Sequence, residues 1–585
     1  MNTPSPNFDC DLLVIGSGAA GLSTAVTAAQ LGLKVIVAEK TSQWGGTTAW
    51  SGGWMWIPRN PLAVKAGLVE PLEKPLSYLQ HELGPQFDLA KAHAYLENGP
   101  RMVSFFEDKT ALRFIDGNAI PDFHGHTPDA GTGGRSVCAA PFDGRRLGKH
   151  LHDLKPPLYE TTLWGMGIAS GVELRHFFNS RQNLSSFVYV TRRVLHHAWR
   201  YLVHGRGTHL VNGNALVAGL LRSALDLKID LRLNSPVVRL LRQNTAEGQR
   251  VSGAVLQGPQ GRYEIQTRCG VVLATGGFPH DQERLKTLLP HARGQAKAQH
   301  WSAGARSNTG DGLRLGESQG GVVNTQGQQG AALAPVSLVP RADGSQAHFP
   351  HLIERAKPGL IAVNAQGVRF TNEANSYYDF MQDLLKSSAN LNNATPEAWL
   401  LCDHAFLRHY GLGAVKPAPL PLRPWLKNGY LHRGRTLSEL AQACGINAQA
   451  LKQTVARYNA QAEKGEDPDF GKGETPYNRI QGDAARAQAH GWPNPCMGPL
   501  QQGPFYAVKV VMGSLGTFAG LNTNAQAQVL DSQGQVIAGL YATGNDMNSM
   551  MAGRYPAGGI TLGPAMTFGF LAAHHAAGQP PADEA

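Results

Sequence analysis

Asp11-Leu-Leu-Val-Ile-Gly16-Ser17-Gly18-Ala19-Ala20-Gly21 is the stretch whose reading decides the fold. Leu12 to Ile15 form the short apolar run that a parallel strand buried on both faces requires. Gly16 makes a tight turn, Gly18 admits a pyrophosphate to the backbone, and Gly21 lets the next helix lie close to the sheet with its N-terminus facing the phosphates. GxGxxG alone is a weak signal, but here a whole βαβ unit surrounds it. An Ala-rich helix is expected over 19–31, Gly32 stops it, and a second apolar strand follows, Val35-Ile-Val-Ala38. Glu39 stands at the end of that strand, ~20 residues downstream, where an acid grips a ribose hydroxyl.

The next loop selects the dinucleotide. Lys40 to Pro58 carries Gly46, Thr47, Thr48, Ser51, Gly52 and Gly53, enough backbone and hydroxyl donors to wrap further phosphate and the chain beyond it. Nicotinamide must leave after each turnover and needs only the first turn, whereas a permanently held flavin gains from the second loop, so FAD is the expected cofactor. At these residues the chain resembles the flavoprotein class that contains fumarate reductases and 3-ketosteroid dehydrogenases.

Composition bounds the rest. The chain has 585 residues, 42% of them hydrophobic and 16% charged, with 68 Gly, which fits a multidomain, loop-rich enzyme and excludes a disordered protein. Six cysteines (Cys10, Cys138, Cys269, Cys402, Cys444, Cys496) form no CxxC pair and no cluster with His. They read as reduced thiols of a cytoplasmic protein, with no metal or iron–sulfur site expected. No signal peptide or membrane span is expected near the N-terminus. The formal charge of +10 raises the question of an anionic partner; nucleic acid is not among those expected. Between Glu173 and Asp226 there is no acid, while Arg175, Arg181, Arg192, Arg193, Arg200 and Arg206 all fall there. Leu184, Phe187, Val188, Leu195, Ala198 and Leu202 recur there at helical spacing, so residues 174–206 suit either a helix packed on the body of the protein or a peripheral contact with an anionic membrane.

In chain order, helices are expected over 76–83 and 89–108. Residues 111–150 read as a surface loop or a site wall, and a basic helical insertion occupies about 150–210. A helix over 216–226, a strand over 229–233 and a meander from Ser235 to Gln266 lead to Gly270-Val-Val-Leu-Ala274-Thr275-Gly276-Gly277, a strand rejoining the nucleotide sheet. Asn308-Thr-Gly-Asp311-Gly follows. From Gly330 to Gln502 the glycine fingerprints stop and aromatic, Pro-containing segments take over. The expected architecture is therefore α/β: a discontinuous Rossmann-type FAD-binding domain (1–329 and 503–585) with an inserted α+β substrate or catalytic domain (330–502). Gly503 to Val511 is expected to return to the first domain as a strand, before Gly539-Leu-Tyr-Ala-Thr-Gly544-Asn545 and a last small-residue helix near Leu562.

The whole-chain pattern resembles 3-ketosteroid Δ1-dehydrogenases, most specifically at Tyr555-Pro-Ala-Gly-Gly559 followed by Gly-Pro-Ala-Met-Thr-Phe-Gly; the family's usual Gly-Pro-Gly after Tyr-Pro is here Ala-Gly-Gly. The resemblance implies that Tyr555 and the Gly559 N–H hold a ketone oxygen, that Tyr377 takes the C2 proton, and that flavin N5 accepts the C1 hydride. It also implies contacts to FAD from Val238, Ala274, Thr275, Gly276, Asp311, Gly544, Asn545, Gly559 and Leu562, besides the two glycine loops. A two-donor oxyanion site is sound chemistry for enolate formation, one donor being worth ~3 kcal/mol. A free tyrosine with pKa near ~10 lies roughly 4 kcal/mol from ionisation at neutral pH, so a neighbour must activate Tyr377. In the family a second tyrosine does so; here that position is Phe123, which has no hydroxyl, with His124, His126 and Tyr378 as the remaining candidates. The expected partners are a steroid-like ketone and an external electron acceptor such as a quinone. A Δ4-(5α)-ketosteroid dehydrogenase, another enone-forming or enone-reducing enzyme, and a non-catalytic flavin module are the alternatives.

Overall fold

The structure is a computed structural model and describes residues 8–169, 171–246, 248–293, 299–324, 329–389 and 396–582. The fingerprint strand forms as Cys10–Ile15 and pairs in parallel with Val35–Ala38 on one side (Leu12 opposite Val35) and with Gly261–Leu273 on the other (Ile15 opposite Leu273). Leu12, Leu13 and Val14 are fully buried, as a strand covered on both faces demands. The eight-stranded sheet runs Gln528–Leu530, Val536–Ala542, Gly261–Leu273, Cys10–Ile15, Val35–Ala38, Asp230–Arg232. Gly261–Leu273 also carries the antiparallel hairpin of Val237–Thr245 and Gly248–Gly258, which is the expected meander.

Helix Ala19–Gln30 packs against the last helix, Leu562–Ala577, and small residues set the distance between them. A Cβ on Gly569 would stand 2.6 Å from Ser23 Oγ and 2.9 Å from Ala20 O. Gly21 does the same against the sheet: a Cβ there would meet Gly16 O at 2.0 Å.

A seven-stranded sheet is built around Phe505–Thr517, ordered Gln346–Pro350, Ala331–Pro340, Phe505–Thr517, Glu397–Cys402, Leu360–Asn364, with Trp301–Ser302 and His432–Gly434 also paired to Phe505–Thr517. This corrects the expectation that the chain returns to the nucleotide sheet at Gly503. Phe505–Thr517 alternates too little and is too apolar to be placed by pattern; it is the buried centre of the second sheet, and the chain rejoins the first at Gln528. The basic region forms two helices, Val172–Phe178 and Leu184–His204. All six cysteines are free, and no helix among the described residues is long and apolar enough to cross a membrane.

Candidate active site

One cavity of about 1940 Å³ runs from the first glycine turn to the interface of the two sheets. Its first part is lined by Gly16, Ser17, Gly18, Ala19, Ala20, Glu39, Lys40, Gly46, Thr47, Thr48, Ser51, Gly52, Gly53, Ala274, Thr275, Gly276, Asp311, Gly544, Asn545 and Leu562. Two residues of the expected cradle are elsewhere. Gly21 is a packing glycine one turn into the helix, and Val238 is 45% exposed on the outer side of its strand. Side chains alternate along a strand, so the neighbour Val237, with Ser235 and Pro236, faces the cavity instead.

The cradle fits a dinucleotide. Helix Ala19–Gln30 has no side-chain cap at Gly18 and no acid in its first turn, so its dipole and the N-terminal N–H groups other than that of Ala19 are open to a phosphate. Glu39 is buried; one carboxylate oxygen accepts from Ser17 N and Oγ (3.2 and 2.7 Å) and the other from Thr41 N and Oγ1 (2.9 Å each), which fixes it at the strand end. Thr48 Oγ1 accepts from Ala19 N (3.0 Å) and Thr47 Oγ1 from Ala305 N and Asn308 Nδ2 (2.9 and 3.0 Å), so the second loop is stitched to the first and to the TGDG turn. Asp311 is ion-paired with Lys40 and, at 2.5 Å, with Arg314. Burial pushes its pKa up, but hydrogen bonding and charge from Lys40 and Arg314 outweigh it and hold the carboxyl below the usual range.

Asp546, which the sequence reading missed, organises the far side of the cradle. Its buried carboxylate accepts from Thr275 N (2.5 Å), Thr275 Oγ1 (3.0 Å) and Gly277 N (2.9 Å), pinning the glycine turn after Gly261–Leu273. The signal was present as the residue directly after Gly544-Asn545.

Deeper in the cavity stands a wall of aromatic rings. Phe123 stacks on Tyr555 at 5.9 Å between centroids and meets the edge of Tyr377 at 5.6 Å; Tyr377 meets Tyr555 edge-on at 4.9 Å. Tyr377, at the start of helix Tyr377–Ser388, is placed by the Ser376 cap, whose side chain accepts from Asp379 N. The Phe123 loop is held by Asp122, which accepts from Trp56 Nε1, Gly131 N and Arg135, and by Phe123 N donating to Pro556 O at 2.9 Å. Gly559 has φ +99°, and a Cβ there would lie 2.7 Å from Met55 Cα and Trp56 N, so only glycine fits. Gly559 borders the cavity, and its N–H has no acceptor among the described residues.

Burial drives up both phenols: Tyr555 to about 12, tempered by hydrogen bonding to Tyr377 and Thr561, and Tyr377 well above its ordinary value, with the Tyr555 charge adding to the rise. Of the groups considered as activators, Tyr378 donates to Gly553 O at 2.5 Å and is engaged outside the cavity, while His124 is bonded between Glu82 (2.6 Å) and Asp379 (2.9 Å). A further phenol, Tyr477, lies against Phe123 at 4.5 Å, 4% exposed and lining the same cavity. Nothing local in Thr-Pro-Tyr477 marks it; only the tertiary structure brings it there.

The family model for an FAD binding domain matches residues 11–562. The chain is 37% identical over 563 residues to 4-oxocyclohex-2-ene-1-carboxylate 5-dehydrogenase of Sinomonas cyclohexanicum, covering 96% of this chain and 93% of that protein. It is 33% identical over 574 residues to 3-oxosteroid 1-dehydrogenase of Mycolicibacterium smegmatis, covering 96% of each. The crystal structure of 3-ketosteroid Δ1-dehydrogenase from Sterolibacterium denitrificans, in complex with 1,4-androstadiene-3,17-dione, superposes with a TM-score of 0.88 at 34% identity, over 97% of this chain and 99% of that one. With the cradle described above, these findings establish that the chain belongs to the FAD-binding domain family of flavoprotein dehydrogenases and that its cofactor is FAD.

Proposed function

We propose that the protein is a 3-ketosteroid Δ1-dehydrogenase, removing a proton from C2 and a hydride from C1 of a ketone-bearing A ring. The observation that carries this reading is the convergence of Phe123, Tyr377, Tyr555 and Gly559, from three distant segments, on one wall of the cavity that the dinucleotide cradle also lines. Tyr555 O–H and Gly559 N–H hold the ketone oxygen and stabilise enolate charge as it develops. Tyr377, as phenolate, takes the C2 proton. FAD held in the glycine cradle would supply the acceptor for the C1 hydride. The apolar rings around the ketone exclude water, which strengthens both oxyanion donors. The division of the chain into an FAD unit interrupted by a catalytic unit at 330–502 belongs to this proposal, since Tyr377 and Tyr477 both come from that segment.

Anaerobic mixing with androst-4-ene-3,17-dione tests it: the flavin absorbance bleaches and the 1,4-diene forms. An unbleached flavin overturns it. The 37% identity to a dehydrogenase of a 4-oxocyclohexene carboxylate supports a second reading, a small ring ketone bearing a carboxylate. Lys357 and Lys416 line the cavity, held by main-chain oxygens (Gln481 O at 2.7 Å, Glu160 O at 2.7 Å) and lowered by burial to about 8. The same assay with 4-oxocyclohex-2-ene-1-carboxylate decides between them.

We also propose that helix Leu184–His204 rests on an anionic membrane. Its only buried residue among those described is Ser186, while Leu184 and Leu202 are 77% and 82% exposed and Phe187, Val188, Leu195 and Trp199 are more than half exposed. An apolar face with Arg192 and Arg200 on the same helix suits acyl chains beneath anionic headgroups. Val190 and Val194, half-buried on the same helix, line the cavity, so an apolar substrate reaches the site from the lipid. Co-sedimentation with phosphatidylglycerol vesicles at low salt checks this; a supernatant-only protein refutes it.

A further inference from the structure

Arg355 is 2% exposed, and all its hydrogen bonds go to main-chain carbonyls: Nε to His351 O (2.9 Å), Nη1 to Glu373 O (2.9 Å) and Asn375 O (3.3 Å), Nη2 to Asn375 O (3.3 Å). A buried guanidinium ordinarily carries a carboxylate partner. Three carboxylates are near enough for their charge to act on it, and each is engaged elsewhere. Glu354 is bonded to His351 at 2.6 Å, with Lys416 close by. Glu373 sits between Arg369 (2.9 Å) and Lys472 (3.1 Å). Asp379 is bonded to His124 (2.9 Å) and to Ser376 Oγ (2.7 Å). The remaining neighbours are phenols. Tyr477 is the foremost of all the groups whose charge acts on Arg355, and the Arg355 charge in turn favours ionisation of both Tyr477 and Tyr377.

The guanidinium is thus a cation whose unclaimed field falls on the tyrosine wall. It also clamps the carbonyl of Asn375, two residues ahead of Tyr377, and lies over the Phe380 ring at 5.1 Å on the first turn of the helix that Tyr377 begins. Tyr477 fills the space beside Phe123, where the chain has a ring and no hydroxyl.

We propose that Arg355 is a positioning residue for the Tyr377 base: its unpaired guanidinium, acting on the phenols of Tyr477 and Tyr377 and fixing the Asn375 carbonyl, favours the phenolate that Phe123 cannot support. This rests on the reading of Tyr377 as the base. In each turnover Tyr377 as phenolate accepts the C2 proton while the hydride leaves C1 for the flavin, and the phenol then returns its proton to water. The phenolate that starts the cycle is the counter-ion Arg355 lacks. The groups facing this cluster are Tyr555, Tyr477, Asp379, Glu354, Glu373 and, through Asp379, His124; none of the carboxylates or His124 is altered in the variants below.

The test is flavin bleaching by androst-4-ene-3,17-dione from about pH 6 to about pH 11, together with 13C NMR of ring-labelled tyrosines in the flavin-loaded protein, the Tyr377 resonance being identified by its loss in Tyr377→Phe. Arg355→Gln is expected to move the alkaline rise in rate and the Tyr377 titration upward by about one unit or more, with about tenfold slower bleaching per unit below it. Arg355→Lys, which keeps the charge, falls between. Phe123→Tyr in the Arg355→Gln background places a hydroxyl on the ring that meets Tyr377 at 5.6 Å and moves both readouts back down. If Arg355→Gln does not fold, Arg355→Lys carries the test. A Tyr377 titration that moves in none of these variants overturns the proposal. If no ketone bleaches the unaltered protein, the proposed function fails, and the NMR titration still decides the role of Arg355.

Discussion

The two ends of the cavity are built on opposite principles. The phosphate end is made of backbone: Gly16, Gly18 and the start of one helix, all within a few residues of each other, with Gly16 fixed by where a Cβ cannot go. The reaction end is made of side chains: Phe123, Tyr377, Tyr477 and Tyr555 come from four segments and meet only because a second sheet is laid beside the first. The first end tolerates a change of side chain and not the addition of one. The second tolerates shape-conserving changes in its fold and not the loss of a hydroxyl.

Gly16→Ala strikes the first end and is expected to have the largest effect. With φ +109° and a Cβ 2.2 Å from Ala274 O, alanine there must push the two central strands apart, and the protein should be recovered colourless or unfolded. The ratio of flavin to protein absorbance reads this; a fully loaded Gly16→Ala protein breaks the comparison. Tyr555→Phe strikes the second end. The ring still fills its place between Phe123 and Tyr377, so flavin content should be unchanged while turnover falls at least tenfold, on the order of one oxyanion donor. Lost flavin in Tyr555→Phe, or unchanged turnover, shows that the two ends are not separable.

This contrast explains how much was legible in the sequence. The cradle could be read residue by residue because strand, turn and helix are consecutive, and steric demands on glycine are local. Gly21 packs the helix close, as its place in the fingerprint requires, while Val238 lies one step off the lining, on the outer face of its strand. Phe505–Thr517 was assigned to the wrong sheet because a strand buried on both faces carries no pattern that says which sheet buries it. Tyr477 and Arg355 left no local trace, for their meaning lies in a ring 4.5 Å away and in carboxylates already taken by other cations.

The exposed helix Leu184–His204 adds a milder test, since Leu184 and Leu202 line neither end. Leu184→Glu with Leu202→Glu should leave folding stability within about 0.5 kcal/mol and flavin content unchanged, because both side chains already face water. Binding to anionic vesicles should be lost. A destabilised double variant places the helix in the body of the protein rather than on a membrane.

The smallest expected effect separates the two ends by pH. At the reaction end burial works against the charge on His124, but hydrogen bonds and charge from Asp379 and Glu82 outweigh it and raise its pKa from 6.5 to about 10. A raised folded pKa means that this pair of bonds, which ties the Phe123 loop to helix Tyr377–Ser388, stabilises fully below the unfolded value and is lost as pH climbs from 6.5 through about 10. At the phosphate end Asp311 is held below its ordinary 3.8 by Lys40 and Arg314 in spite of burial, so its contribution is complete above that value and is lost as pH falls through the lowered one. The reaction wall should therefore loosen in base and the cradle in acid. Thermal unfolding followed across pH should show the alkaline fall in Tm reduced by a few degrees, ~2–4 °C, in His124→Gln, with flavin release in acid untouched. Asp311→Asn should flatten the acid side alone. If one substitution changes both limbs, the two ends unfold as a single unit, and the division of labour between backbone and side chains does not extend to stability.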